Sequence, residues 1–149
     1  MEAMTRMAAQ TENEFRGDRV RAHTPAAVNH EIDVLTRARI EATIERGRDA
    51  VIRRIAELDA EWDVDRALMT GFAVVGGAAF AGGLARYSAS PRNKGLLFLF
   101  GAQLGFLLLH GTVGWCPPVA LFRRLGVRTS REIAFERQVL RDSLEANQH

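Results

Sequence analysis

The stretch Gly95–Trp115 reads GLLFLFGAQLGFLLLHGTVGW, with seven Leu, three Phe and no formal charge in 21 residues. At a helical rise of about 1.5 Å per residue it is about 30 Å long, the thickness of a bilayer's hydrocarbon core. A second charge-free run precedes it, Ala67–Ala85, which reads ALMTGFAVVGGAAFAGGLA. Eleven of these nineteen residues are Gly or Ala, whose burial in lipid contributes much less than that of Leu or Phe, so this is the weaker span. Between the two lies Arg86-Tyr-Ser-Ala-Ser-Pro-Arg-Asn-Lys94, polar and basic with a proline, as expected where antiparallel helices turn at headgroup level. The pattern predicts an all-α fold, an integral membrane two-helix hairpin over 65–128 with spans at about 67–85 and 95–115, flanked by amphipathic cytoplasmic helices. The competing reading is a soluble pair of buried helices, and a chain of 149 residues has little other apolar surface with which to cover both.

Working outward, the 20 basic and 18 acidic residues are squeezed into the remainder of the chain. The formal charge is only +2, and the arginines are interleaved with acids over 41–65 and 132–145, which reads as solvated helix faces and argues against nucleic acid as a partner. Lys and Arg near the spans set orientation. The loop has three, the N-terminal flank five (Arg46, Arg48, Arg53, Arg54, Arg66) and the C-terminal flank four (Arg123, Arg124, Arg128, Arg131). Both termini are therefore expected in the cytoplasm. Tyr87 and Trp115 suit the two interfaces.

Residues 1–29 are polar and read as a disordered arm. The 30–64 segment has Ile44, Val51, Ile55, Leu58 and Trp62 along one helix face, a stripe suited to the membrane surface, to a twin in a dimer, or to the C-terminal helix. Gly47 interrupts it. The acids Glu57, Asp59, Glu61, Asp63 and Asp65 read as capping and solubility, with Asp65 and Arg66 placed to cap the first span. After the second span Cys116-Pro117-Pro118 forces a bend. Val119–Leu125 suits the interface, with Arg123 and Arg124 reaching to phosphates. Thr129-Ser-Arg-Glu132 matches a capping box that opens a C-terminal amphipathic helix over 129–149, with Ile133, Leu140 and Leu144 on one side.

Within the spans, Ala73, Gly77, Ala81 and Ala85 recur every four residues, and Gly101 and Gly105 share that spacing. Such small-residue faces let helix backbones approach closely, and are expected to pack the hairpin, a homo-oligomer, or both. Gln103 and His110, seven apart, are the strongly polar intramembrane side chains. They are expected to hydrogen-bond between helices of an oligomer; a haem, metal or proton role for His110 is the sharper alternative. No cofactor or metal is expected, because no second ligand stands at suitable spacing within the span. Cys116, the single cysteine, is the one candidate for chemistry, a thiol at the cytoplasmic boundary; the plainer reading is a small apolar residue at a helix end. No dinucleotide fingerprint, phosphate loop or paired-histidine zinc helix is present.

Trp62-Asp-Val-Asp-Arg66, a small-residue span, a basic turn, a second span, Gly114-Trp-Cys-Pro-Pro118 and Arg123-Arg-Leu-Gly-Val-Arg-Thr129 follow one another in this order. In this the chain resembles the YgaP-like transmembrane domain family, two-helix bacterial inner-membrane hairpins whose second helix ends in Cys-Pro before a Leu-Gly-Val/Ile-x-Thr segment. The resemblance covers about residues 63–129 and rests on Asp65, Arg66, Cys116, Pro117, Leu125, Gly126 and Thr129. It implies a hairpin that tends to dimerise. Some relatives carry a rhodanese domain; here the N-terminal segment is too short and has no cysteine for a persulfide, so that activity does not carry over. The functional expectation is a homo-oligomeric membrane scaffold or anchoring module, with a cytoplasmic protein partner for the flanking helices. The alternative is membrane-associated sulfur or thiol handling by Cys116.

Overall fold

The computed structural model describes residues 15–89 and 94–146, and every regular element among them is helical. In chain order these are α1 (Arg19–Ala22), α2 (Ala26–Glu45), α3 (Arg48–Ala60), α4 (Val64–Ala89), α5 (Gly95–Val113), α6 (Pro117–Arg124) and α7 (Ser130–Ala146). The boundaries follow local chemistry. Asp18 caps α1 by accepting from the Arg21 amide at 3.0 Å. Gly47 separates α2 from α3 at φ +89°, a left-handed conformation that glycine adopts without steric cost. The continuous helix expected across 30–62 is thus two helices. Asp63, and not Asp65, caps α4, accepting from the Arg66 amide at 2.7 Å.

Helix α5 ends at Gly114, also left-handed at φ +83°, whose amide donates to the His110 carbonyl at 2.8 Å. Cys116 is extended, and the two prolines then occupy the first turn of α6, where their missing amides have no helical partner to lose. Helix α7 opens with the expected capping box: Glu132 accepts from the Thr129 amide at 2.8 Å, and the Thr129 hydroxyl accepts from the Glu132 amide at 3.3 Å.

Two assemblies result. Helices α2, α3 and α7 pack around Ile40, Val51, Leu58, Ile133 and Leu140, with Ile55 and Leu144 at the margin. Of the three positions open to the apolar stripe, packing against the C-terminal helix is the one seen, while Ile44 and Trp62 remain exposed. A smaller core of Val20, Val64, Leu68, Cys116 and Val119 joins this head to α4 and α5. The arm expected to be disordered over 1–29 is ordered from Phe15 onward, and α1 supplies Val20 to this junction; residues 1–14 lie outside the described residues.

Helices α4 and α5 lie against each other in opposite directions. Gly83 meets Leu97, Gly76 meets Phe100 and Gln103, and Asp65 meets His110. The inner face of α4 is Leu68, Gly76, Ala79 and Gly83, all buried. A Cβ on Gly83 would stand 2.8 Å from a Leu97 methyl and 3.2 Å from its backbone nitrogen, so the close approach requires glycine there. Both helices are long and apolar enough to cross a membrane, and the most apolar 18-residue stretches are only 22% and 6% buried within the protein.

Candidate functional site at the base of the paired helices

Where α5 ends, its last carbonyls lack helical donors. Arg19 fills that role, donating from Nη1 to the Gly111 and Thr112 carbonyls at 2.9 and 3.2 Å and placing its positive charge at the negative end of the helix dipole. The approach is close enough that a Cβ on Gly114 would fall 2.4 Å from the Arg19 Cβ. One turn back, His110 Nε2 lies 2.7 Å from the Asp65 carboxylate at the start of α4. His110 is 5% exposed, and its Nδ1 is buried without a hydrogen-bond partner. His110, expected to bond between helices of an oligomer, bonds between α5 and α4 within one chain, and Asp65 serves it and not the helix start.

Asp65 and His110 form one wall of a cavity of about 230 Å³. Asp18, Arg19, the first residues of α7 and Arg131 form the others. Asp18 is spent on the protein, accepting from the Arg21 amide and from the Thr129 hydroxyl at 2.6 Å. Arg131 donates one Nη1 bond to the Arg16 carbonyl at 2.6 Å.

Behind this cavity runs a buried ionic layer. Arg123, 1% exposed, makes two bonds to Glu132 at 2.6 and 2.7 Å, and others to Thr24, Asn29 and the Val127 carbonyl. The expectation that Arg123 reaches lipid phosphates fails because Glu132 and these acceptors satisfy its guanidinium inside the head. Arg21 bridges Glu132 and Asp33. Arg128 binds Glu61 and Glu136, and Arg54 binds Glu136, Glu57 and Glu61. Glu61 is therefore an ion-pair partner, not a solubilising charge.

Burial alone would push the Glu132 carboxyl up; Arg123, the Thr129 amide and Arg21 outweigh it and hold it below the usual carboxylate range. Glu136 is held down in the same way by Arg54 and Arg128 against its burial. These residues were missed as an interior feature. The signal was present: Glu132, Glu136 and Leu140 stand four apart, on the face that also carries Ile133.

The other sequence-derived candidates separate into two groups. Cys116 is fully buried among Val20, Val64, Leu68 and Val119, and burial pushes its thiol up despite a bond from the Val119 amide. The thiol expected at an accessible boundary thus occupies a core position, and the same burial disfavours the thiolate form that exchange chemistry uses. Gln103 is half-buried against Gly76 with its Oε1 unpartnered. Ala73, Gly77, Ala81, Gly101 and Gly105 are exposed, and a Cβ at Gly77, Gly101 or Gly105 would meet nothing within 4 Å. The packing of α4 on α5 uses Gly76 and Gly83 instead, so the faces expected to close the hairpin point outward. Among the described residues no three His, Cys, Asp or Glu side chains gather as a metal set. No protein-family model, curated protein or solved structure matches the chain.

Proposed function

We propose that this protein is a bacterial inner-membrane hairpin, α4 and α5, that anchors a cytoplasmic helical head and serves as a homo-oligomeric scaffold or anchoring module. One observation carries the reading. The apolar side chains of α4 and α5 face outward, Val74, Phe80, Leu84, Phe98, Leu104 and Leu108 among them, with 47% to 76% exposure for Val74, Phe80 and Phe98. Monomeric soluble proteins do not leave patches of this extent uncovered, and lipid is the solvent that matches them. The packing of α2 and α3 against α7 supports both flanks of the hairpin on one side, and the nine basic residues there against three in the loop favour the cytoplasm for that side.

The YgaP-like resemblance supports the same reading: Asp65, Cys116 and Thr129, from its motifs, meet at the base of the hairpin in the Asp65–His110 pair, the junction core and the α7 cap. The outward small-residue faces, Ala73, Gly77 and Ala81 on one helix and Gly101 and Gly105 on the other, support self-association in the bilayer. The head offers a surface to a cytoplasmic protein partner.

The test is alkaline carbonate extraction of membranes from cells expressing the chain with reporters at each terminus and in the 88–93 loop. Retention in the pellet with both termini cytoplasmic is expected; release into the supernatant overturns the reading. Isoleucine at Gly101 and Gly105 should weaken self-association in a membrane dimerisation reporter, and unchanged association removes the oligomer from the proposal.

A further inference from the structure

Helix α6 has the reverse of the arrangement that water favours. Val119 and Arg123, four apart, face the head, where Arg123 is 1% exposed against Glu132. Pro117, Leu121 and Leu125, also four apart, face away, Leu121 at 58% and Leu125 at 70% exposure. Beside them Arg124 is exposed and has no ion-pair partner among the described residues. The ends of α6 ask little of water. Of its first four amides two do not exist, at Pro117 and Pro118, while Val119 donates to the Cys116 sulfur and Ala120 to the Cys116 carbonyl at 3.2 Å. At the other end the Leu121, Phe122 and Arg123 carbonyls accept from the Leu125, Val127 and Gly126 amides at 3.0 Å each. A helix whose backbone is satisfied in this way can lie where water is scarce. Its depth follows from its neighbours. Helix α6 follows α5 after three residues and packs on α4 through the core that holds Leu68, with Phe72 against it. Both belong to the charge-free run Ala67–Ala85, so α6 lies at the level where that run begins.

We infer that α6 is an interfacial helix that seats the head on the bilayer, with Pro117, Leu121 and Leu125 at the boundary between headgroups and acyl chains and Arg124 reaching the lipid phosphates. The inference rests on the membrane reading of α4 and α5 and adds to it: the head does not swing on a tether but is held against the leaflet by one of its own helices. Lipid is the occupant because this apolar face continues from the outward surface of the paired helices and ends on an unpaired cation, the order of chemistry met on passing from acyl chains to phosphates. Eight residues make a helix of about 12 Å, too short to cross a bilayer and long enough to lie in its plane. Pairing Arg123 with Glu132 inside the head is what leaves Leu121 and Leu125 as the outward side.

The experiment places nitroxide labels on the full chain in nanodiscs of phosphatidylcholine and phosphatidylglycerol, using Leu121→Cys, Leu125→Cys, Leu104→Cys and Val34→Cys one at a time in a Cys116→Ala background. Relative accessibility to oxygen and to a water-soluble nickel chelate reports the depth of each label. Leu104 on α5 and Val34 on the head, 51% and 49% exposed, serve as the lipid and water references. Labels at 121 and 125 should both read about 5–10 Å into the headgroup and acyl boundary, between the two references. If either is as open to nickel as the label at 34 while that at 104 is in lipid, the interfacial helix is overturned and the membrane reading stands. A label at 104 that is itself in water ends both. Where Cys116→Ala disturbs the helical signal of the head, Leu121→Trp combined with Trp62→Phe and Trp115→Phe reads the same depth through quenching by brominated lipids: strong quenching supports the seat, and none overturns it.

Discussion

The head and the paired helices are built on opposite plans. In the head, charge is inside: Glu132, Glu136, Arg123 and Arg128 are each at most 4% exposed, while Val34, Leu35 and Ile52 are at the surface. In the paired helices α4 offers mostly small residues, Gly76, Ala79 and Gly83, to Leu97, Phe100 and Gln103 of α5, and many large apolar side chains face out. A buried ion pair adds little net stability, because the cost of desolvating both charges offsets their attraction, yet it fixes which helix meets which. Close packing on glycine contributes through dispersion and has no such penalty. Orientation in the head is therefore set by matching charges, and in the pair by matching shapes.

Breaking one charge should be the largest single effect. Glu136→Gln keeps the volume but leaves Arg128 and Arg54 with Glu61 as the one carboxylate they still share. Breaking a buried pair costs about 3–5 kcal/mol, and the remaining Glu61 bonds place the effect at the lower end of that range. Chemical denaturation in detergent, followed by the helical signal, should show the head unfolding earlier while α4 and α5 persist; a loss below about 1 kcal/mol would mean that the layer does not hold the head. Acid should act on the same groups. Because Glu132 and Glu136 titrate below their ordinary value of 4.5 when folded, the stability they contribute is complete above 4.5 and is lost as pH falls through their lowered values. The apolar pair should be indifferent to that pH range.

The paired helices should break on shape instead. Gly83→Ile drives a branched side chain into Leu97 and should cost about 1–3 kcal/mol of pairing stability, whereas Gly77→Ile enters open space and should leave the monomer unchanged. Thermal melts of both variants in mild detergent distinguish them. Equal destabilisation would mean that α4 presents the Gly77 face, and not the Gly83 face, to α5.

Much of this division is legible in the residues. Two charge-free runs mark the apolar helices, and Thr129 and Glu132 announce the start of α7. What sequence pattern leaves open is which face of a helix meets its neighbour when two faces carry small residues. Ala73, Gly77 and Ala81 keep a stricter period than Gly76, Ala79 and Gly83, yet the latter meet α5, because Leu97, Phe100 and Gln103 project into the space above them. The ionic layer was hidden for a related reason. An interleaved run of arginine and glutamate looks the same whether it is solvated or buried, and only partners as far apart as Arg128 and Glu61, or Arg21 and Glu132, decide between the two. Composition also misleads over 15–29, where buried Phe15 and Val20 and the Arg19 bonds to α5 order a polar segment.

Cys116 lies at the junction of the two plans, and it offers the finest test of how they are joined. Its side chain touches residues from the head side, Val20 and Val119, and from α4, Val64 and Leu68. Cys116→Ala removes only a sulfur atom from this core and should cost about 1 kcal/mol, comparable to the smaller core truncations. The thiol is also a reporter. Fully buried, it should react with a maleimide in native protein only when the junction opens, so its labelling rate measures the free energy of that opening. If head and paired helices separate as one unit, labelling and loss of helicity should respond alike to denaturant and Glu136→Gln should raise both. Should labelling run ahead of unfolding at low denaturant, the junction opens locally, and α1 with its Arg19 bonds is the segment that lets go.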